Sequence, residues 1–347
     1  MRTIKKGGSN SMHLPELDID YGELYRMLFL PIRSKLLLAG IELRVFNHLA
    51  EPVSAGELAQ VIGAHPRNMG LFLDGLAAID LVQKRNGLYQ NTPEAQPFLV
   101  EGSQTYLGQL LSFMAKANSS LENLTKFVKE GPPPQLDAPP FSEEMLTQSA
   151  VMMANTERAG DAQLAVEIVS KLPEFPSFRR LLDLGGGPGL IRMAIVASHP
   201  DLKGVIFDLP QVVKVAERFI KDHEMEDKVE VLGGDFNRDP IGGGYDIVYS
   251  SNSLQFARVI DPVVEKIFDS LNPGGVFVSL FGFGQTHEGT KPEGLILGLL
   301  PTALMGQDTK MDRGYIADSM LRVGFRSVHS RILNTAWGPQ ELDIGRK

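Results

Sequence analysis

A doubly wound α/β sheet of Rossmann-like type, preceded by a small helical domain with a winged-helix pattern, is the fold class this sequence predicts. Three observations predict it. Apolar stretches recur along the second half of the chain, several of them ending in an acid or a glycine, at LLDLGGGPG, GVIFDLPQVV, KVEVLGGDF, YDIVYSSNSLQF and LNPGGVFVSLFGFG, the last read as a strand after a Pro-Gly-Gly turn. Amphipathic helical stretches separate them, among them VVKVAERFIKDHE and VVEKIFDSL. Such alternation builds a mainly parallel sheet with helices on both faces and its ligand beyond the carboxyl ends of the strands. Upstream the pattern is different: LFLPIRSKLLLAGIELRVFNHLA, SAGELAQVIG and HPRNMGLFLDGLAAIDLV read as helices, and LVQKRNGLYQNT as two strands about a turn.

The most constrained element is LLDLGGGPG, residues 181–189. An apolar strand ending in Asp183 runs into glycines at 185, 186, 187 and 189, and the helix-like LIRMAIVASHP follows. Glycine is needed where φ is positive or where a ligand lies against the backbone. Leu190 stands where the dinucleotide fingerprint G-x-G-x-x-G needs its third glycine, so the spacing favours S-adenosylmethionine (SAM) over NAD. An ordinary tight strand-to-helix turn would carry the same glycines; the acid at the strand end and the next strand weigh against it. GVIFDLPQVV ends in Asp208. An acid at that tip can take two ribose hydroxyls, and it can equally cap the helix that begins near Pro210. The third segment leaves Asp235 and Phe236 where an adenine amino group and ring can be met. At the end of the chain GYIADSMLRVGFRSVHSRI reads as a helix and a strand, and PQELDIGRK as a short last strand, which suits an antiparallel return at the edge.

Between these two regions YLGQLLSFMAKANSSLENLTKFVKEG reads as a helix whose Leu110, Phe113 and Met114 can face either the core or a substrate. PPPQLDAPPF is a stiff loop. The long helical stretch from SEEMLTQ onward carries Met145, Met152 and Met153, and for the last two pocket lining and core packing both stand open.

Composition bounds the function. At 347 residues, 43% hydrophobic and 22% charged, the chain can bury a sizeable core and is long enough for two domains. A formal charge of −8 argues against a phosphate-backbone partner. The third helix of the winged-helix pattern agrees, offering Arg67 and Asn68 before it turns apolar and acidic at Asp74 and Asp80. Nucleic acid is therefore not an expected partner. The absence of cysteine excludes disulfides, Cys-ligated zinc and a thiol nucleophile, and fits a reducing, cytoplasmic setting. No apolar run reaches the length of a membrane span, and no membrane partner is expected. No histidine cluster has metal-ligand spacing, so no metal is expected.

In the order LLDLGGGPG, GVIFDLPQVV, GGDF, YDIVYSSNSLQF, LNPGGVF and LRVGF the chain resembles class I SAM-dependent methyltransferases. More narrowly, GGGPG followed by FDLPQVV and GGDF resembles the dimeric small-molecule O-methyltransferases that include plant caffeic acid, animal hydroxyindole and bacterial polyketide enzymes. The resemblance implies SAM as cofactor, S-adenosylhomocysteine (SAH) as product, a small-molecule acceptor from secondary metabolism and a homodimer made through the winged-helix domain. It implies that Gly185, Gly187 and Asp208 bind the methionine moiety and ribose, and that Asp235 and Phe236 frame the adenine. Asp183, Gly189, Leu209, Ser250 and Ser251 complete the implied cofactor set, Ser251 standing where many relatives keep a lysine. The implied acceptor contacts are Met114, Met152, Met153, Asn252, Gln255, Leu300 and Leu304. The last two lie in GLILGLLPTALMG, which resembles the family's substrate helix and suits a large apolar acceptor, whether aromatic, polyketide-like or tetrapyrrole-like. The polar, Gly/Ser-rich start MRTIKKGGSNSMH reads as part of a disordered tail over 1–19, and the resemblance implies a winged-helix-like dimerisation domain over 20–105, a helical linker and substrate roof over 106–170, and the SAM-binding domain over 171–347.

The chain departs from the family at the acceptor. Relatives that methylate oxygen carry a histidine base after the fourth strand; here Gln255 stands there, and Phe256 replaces the acid that follows. An amide does not titrate near neutral pH, so Gln255 cannot be a general base. Methyl transfer tolerates that loss. In-line positioning is worth about 7–11 kcal/mol, and a general base about 10²–10⁴-fold. The expected reaction is methyl transfer by proximity and orientation to an O, C or S acceptor that is already acidic or carbon-nucleophilic, with Gln255 orienting it. His287, in the loop after the fifth strand, is the alternative base. Two other functions fit the same residues: a SAM-binding relative that hydroxylates or decarboxylates without methylating, and a non-catalytic ligand-responsive dimer.

Overall fold

Local signals set the first elements. Ser54 accepts the backbone N–H of Glu57 at 3.2 Å while the Glu57 carboxylate accepts the N–H of Ser54 at 3.0 Å, a reciprocal cap that starts a helix at Ala55. Asn86 and Gly87, with φ of 51° and 79°, supply the paired left-handed residues of a two-residue hairpin. The computed structural model describes residues 20–118, 122–132, 142–282, 304 and 312–347, together with the backbone of 2–4 and 12–14. The chain divides into two units, Met1–Ser103 and Gln104–Lys347.

The first unit holds α1 (Gly22–Met27), α2 (Leu30–Glu42), α3 (Ala55–Ile62), α4 (Pro66–Ala77) and α5 (Ala95–Leu99). Its strands are an antiparallel pair, β1 (Arg2–Ile4) with β2 (Met12–Leu14), and a sheet of β3 (Val53–Ser54), β4 (Val82–Arg85) and β5 (Leu88–Asn91) in the order β3-β5-β4. Val45, Phe46, Leu49, Leu58, Leu73 and Leu76 fill its core. Asp74 on α4 accepts from Lys84 at 2.6 Å and from the Tyr89 hydroxyl at 2.8 Å, fastening that helix to the hairpin. The face that stays open is apolar: Tyr21, Leu24, Tyr25, Met27, Leu28, Phe29, Leu30 and Ile32 are exposed, and α1 buries no residue within the chain.

The second unit begins with α6 (Gly108–Asn118), α7 (Leu124–Glu130), α8 (Glu143–Thr156) and α9 (Ala162–Ser170). A π-turn over Glu157–Asp161 joins the last two, kinked at Gly160. Then strand and helix alternate: β6 (Arg180–Leu184), α10 (Leu190–Ala197), β7 (Lys203–Asp208), α11 (Pro210–Asp222), β8 (Val229–Gly233), β9 (Tyr245–Ser251), α12 (Ile260–Ser270), β10 (Leu271–Gly282), α13 (Tyr315–Val323), β11 (Ser327–Thr335) and β12 (Gly338–Arg346). The seven-stranded sheet runs β11-β12-β10-β9-β6-β7-β8. β6 to β10 are mutually parallel, and β12 is antiparallel to both β10 and β11. One core packs α9, α10 and α11 on the sheet through Leu181, Ile206 and Ile247; the other packs α12 and α13 through Leu182, Phe207 and Phe277.

Two details differ from the local reading. The last strand does not lie at the edge: β12 inserts between β10 and β11, because its apolar Leu342 is fully buried and both of its sides find ladder partners. The Pro-Gly-Gly segment is not a turn ahead of a strand. It lies inside β10, and the register against β9 shifts between Leu271 and Val276 to absorb it.

Candidate functional site

The carboxyl ends of β6, β7, β8 and β9 form one edge, and Asp183, the glycine turn, Asp208, Asp235, Phe236, Ser250 and Ser251 lie on or just after those strand ends. Gly185, Gly187 and Gly189 have φ of 72°, 53° and 85°, values that a side chain resists. Gly186 has no positive φ; a Cβ there would lie 2.9 Å from the Asp183 carboxylate, so the turn needs glycine to rest on that acid. The N–H of Gly185 bonds to the carbonyl of Phe207 at 2.8 Å, tying the turn to β7. Asp208 completes the tie, its Oδ2 accepting from Gly187 N at 2.8 Å and its Oδ1 from Leu209 N at 2.7 Å. Burial raises the pKa of Asp208, against the pull of those two donors. Leu209 is half-buried beside Leu146, Ala150, Val212 and Val215, at the start of α11.

On the neighbouring strand ends, Asp235 Oδ1 accepts from the backbone and side-chain nitrogens of Asn237 at 2.9 and 3.0 Å, and Phe236 is 9% exposed. Ser250 is buried and shares a 2.6 Å bond with Ser253, whose hydroxyl donates to the Leu184 carbonyl at 2.7 Å. Ser253 also abuts the glycine turn, since a Cβ at Gly185 would lie 2.3 Å from its own Cβ. The Ser251 side chain bonds to the Tyr249 hydroxyl. Asn252 takes a left-handed φ of 48°, and its Oδ1 accepts from Gln340 Nε2 at 2.8 Å and Gly282 N at 3.3 Å. Gln255 sits in a short 3₁₀ turn, Leu254–Phe256, and its buried Oε1 has no hydrogen-bond partner among the described residues. Met114 on α6, Met152 and Met153 on α8, and the helical Leu304 are all half-buried. His287 and Leu300 lie outside the described residues.

Asp183 itself is 3% exposed and faces α10, where Arg192 Nη2 lies 3.6 Å from its Oδ2. Burial pushes Asp183 up to about 6, Arg192 pulling it down and Asp208 adding to the rise. Sequence reasoning missed three further groups. Glu157, in the π-turn, accepts from Ile191 N at 3.0 Å at the start of α10, and burial first, the Asp183 charge second, hold it well above the usual carboxylate range. Asp161, one turn on, accepts from Trp337 Nε1 at 3.1 Å. Arg192 is fully buried. The visible signals were two acids flanking Gly160, and an arginine within the apolar LIRMAIVA.

The described histidines of this unit lie away from the edge. His199 and His223 follow α10 and α11, which run back to the amino ends of the strands, and His329 lies near the start of β11. No group of three or more His, Cys, Asp or Glu among the described residues is arranged to hold a metal. A SAM molecule fits what is there. A Cβ at Gly187 would meet nothing closer than Glu157 Oε1 at 3.8 Å, leaving the turn open on its acidic side, and the Asp208 carboxylate keeps lone pairs beyond the two N–H groups it already accepts.

Comparison with known proteins agrees with this geometry. The O-methyltransferase domain family matches residues 138–275, and the O-methyltransferase dimerisation domain matches 25–101. The tetracenomycin polyketide synthesis 8-O-methyl transferase TcmO of Streptomyces glaucescens is 25% identical over 342 residues, covering 94% of this chain and 96% of that protein. Acetylserotonin O-methyltransferase of Mus musculus is 30% identical over 262 residues, covering 70% and 67%. Among solved structures, human N-acetylserotonin methyltransferase in complex with SAM superposes with a TM-score of 0.75 at 21% identity, covering 96% of this chain and 99% of that one. With both family domains matched in sequence order and a relative 30% identical over 70% of the chain, and with a Rossmann-like sheet edge built around a glycine turn and Asp208, this chain belongs to the SAM-dependent O-methyltransferase family.

Proposed function

We propose that the protein transfers the SAM methyl group to a small, largely apolar acceptor, aromatic, polyketide-like or tetrapyrrole-like, by proximity and orientation without an imidazole base. The observation that carries this reading is Gln255. Its amide stands in the short turn after β9, with its oxygen buried and without a hydrogen-bond partner among the described residues, and the described histidines lie elsewhere. Relatives named for a polyketide and for acetylserotonin support an aromatic acceptor.

When bound, SAM supplies a methyl already activated by its sulfonium. The residues of this chain then have three tasks. Asp208 takes the ribose hydroxyls, Asp235 and Phe236 take the adenine, and Asp183 beneath the glycine turn offers negative charge to a cationic cofactor. Ser253 couples this half to the acceptor side through its contact with the glycine turn. Gln255 orients the acceptor through one hydrogen bond, and the acceptor enters already ionised or as a nucleophilic carbon.

Gln255→Ala should then lower activity by at most about tenfold, because only one hydrogen bond near 1 kcal/mol is lost. Rate against pH should follow the ionisation of the acceptor and be the same in His287→Ala. A bell-shaped profile with a limb near an ordinary imidazole pKa, about 6.5, that disappears in His287→Ala would make that residue the base and return ordinary hydroxyl methylation to first place.

The protein is further proposed to be a symmetric homodimer formed through residues 20–105. Support comes from the run Tyr21 to Ile32, whose large apolar side chains are exposed in the single chain, and from the matched dimerisation domain. Light scattering at micromolar concentration should give twice the chain mass. A monomer would show that this face is covered in another way.

A further inference from the structure

Arg192 occupies a position that runs against its chemistry. It lies on α10 between Ile191 and Met193, has no exposed surface, and none of its three guanidinium nitrogens has a hydrogen-bond partner among the described residues. A guanidinium without hydrogen bonds in an apolar core is costly, and an apolar side chain of similar volume at such a place is often neutral or stabilising. The surrounding backbone nevertheless makes room for it. The facing strand β7 carries Gly204, where a Cβ would lie 2.2 Å from Arg192 Cδ. Its nearest opposite charge is Asp183, at 3.6 Å. Asp183 in turn lies directly under the glycine turn, against the position a Gly186 Cβ would occupy, and its Oδ2 has no hydrogen-bond partner among the described residues.

We propose that Arg192 is a positioning residue that acts through Asp183, keeping a negative charge beneath the glycine turn so that a cationic cofactor is favoured there. The inference rests on the reading of this edge as the SAM site. The groups around Asp183 explain why such a counter-charge is needed. Asp208 on β7 and Glu157 in the π-turn are both acids, Tyr249 on β9 is held far from ionisation by burial, and Asp161 lies behind Glu157. Arg192 is the cation among these groups that acts on Asp183, and without it Asp183 would face only acids. Like charges at close range favour protonation of one of them, and Arg192 opposes that. Burial lowers Arg192 itself only to about 10, so it remains charged at neutral pH.

The sign follows. With Arg192 present Asp183 titrates at about 6, so its charge is in place above that pH and is lost below it. Without Arg192 the acid limb moves upward, and SAM binding fails at a higher pH. Calorimetric titration of the full-length protein with SAM between pH 5.5 and 8.5 tests this in Arg192→Met, in Arg192→Gln should the methionine variant not fold, and in Arg192→Lys. The first two should match wild type at pH 8.5, bind about threefold more weakly near pH 6.5 and about eightfold more weakly near pH 5.5, the signature of a shift of about one pH unit in the acid limb. Arg192→Lys should restore the wild-type limb. Equal weakening at every pH, or none, would overturn the proposal and leave Arg192 a packing residue. Asp208→Ala separates the two levels: if it weakens binding at least about tenfold while the Arg192 variants titrate like wild type, the SAM site stands and only this inference falls; if wild type does not bind SAM, the reading of the site falls with it.

Discussion

Asp208→Ala should weaken SAM binding about 10- to 150-fold, the equivalent of about 1.5–3 kcal/mol for the hydrogen bonds of one charged group. The loss has two sources in the structure. The carboxylate is the candidate partner of the ribose hydroxyls, and it also holds the glycine turn through Gly187 N at 2.8 Å and the start of α11 through Leu209 N at 2.7 Å. Asp208→Asn keeps one acceptor oxygen and should lose less. Calorimetry on both variants decides the matter: an alanine variant with wild-type affinity would place the ribose elsewhere. The pKa of Asp208 is raised by burial, so the wild-type affinity should itself fall as the solution is acidified and the carboxylate gains a proton.

Asp343→Asn should make the protein more stable at alkaline pH. Asp343 has no exposed surface and lies on β12 opposite Ser279 of β10 and Ser330 of β11. Its Oδ1 accepts from the Ser330 hydroxyl, while its Oδ2 and the Ser279 hydroxyl are buried without partners among the described residues. Burial, reinforced by Glu341 and Asp318, pushes it up to about 7. The unfolded value is about 3.9, so between the two the folded state holds a proton that the unfolded state does not. Stability from that proton is complete below the lower value and drains away as pH rises through the upper one, by up to about 2–4 kcal/mol. Asparagine never ionises, and its amide can donate to Ser279. Thermal unfolding should therefore show similar midpoints for the two proteins near pH 4, and at pH 8 a midpoint about 4–10 °C higher in the variant. Parallel pH dependence in the two would show that Asp343 is not the titrating group.

The strand ends were readable because their signals are local. Asp183 lies one residue before the end of β6 and Asp208 closes β7, the helix after it starts at Pro210, and the glycines at 185, 187 and 189 take the positive φ their spacing suggested. Period, glycine and proline act over a few residues, so a chain met only as sequence still displays them. Gln255 was likewise visible as a side chain that cannot do the work of a histidine, since that argument needs only its functional group and its place after β9.

By itself, then, the sequence determined the alternation of strand and helix, the glycine turn with its two acids, the family, and the presence of a glutamine amide at position 255. Only the tertiary structure decided that β12 enters between β10 and β11, that the Pro-Gly-Gly segment is absorbed inside a strand, and that a π-turn delivers Glu157 to the start of α10. It alone set Arg192 against Asp183 and Gly204, and Asp343 between two serines. The physical reason is common to all of these. Register between distant strands and the desolvation of a charge depend on what packs against a residue from elsewhere in the chain, and a charge's cost or use is fixed only when its surroundings have closed.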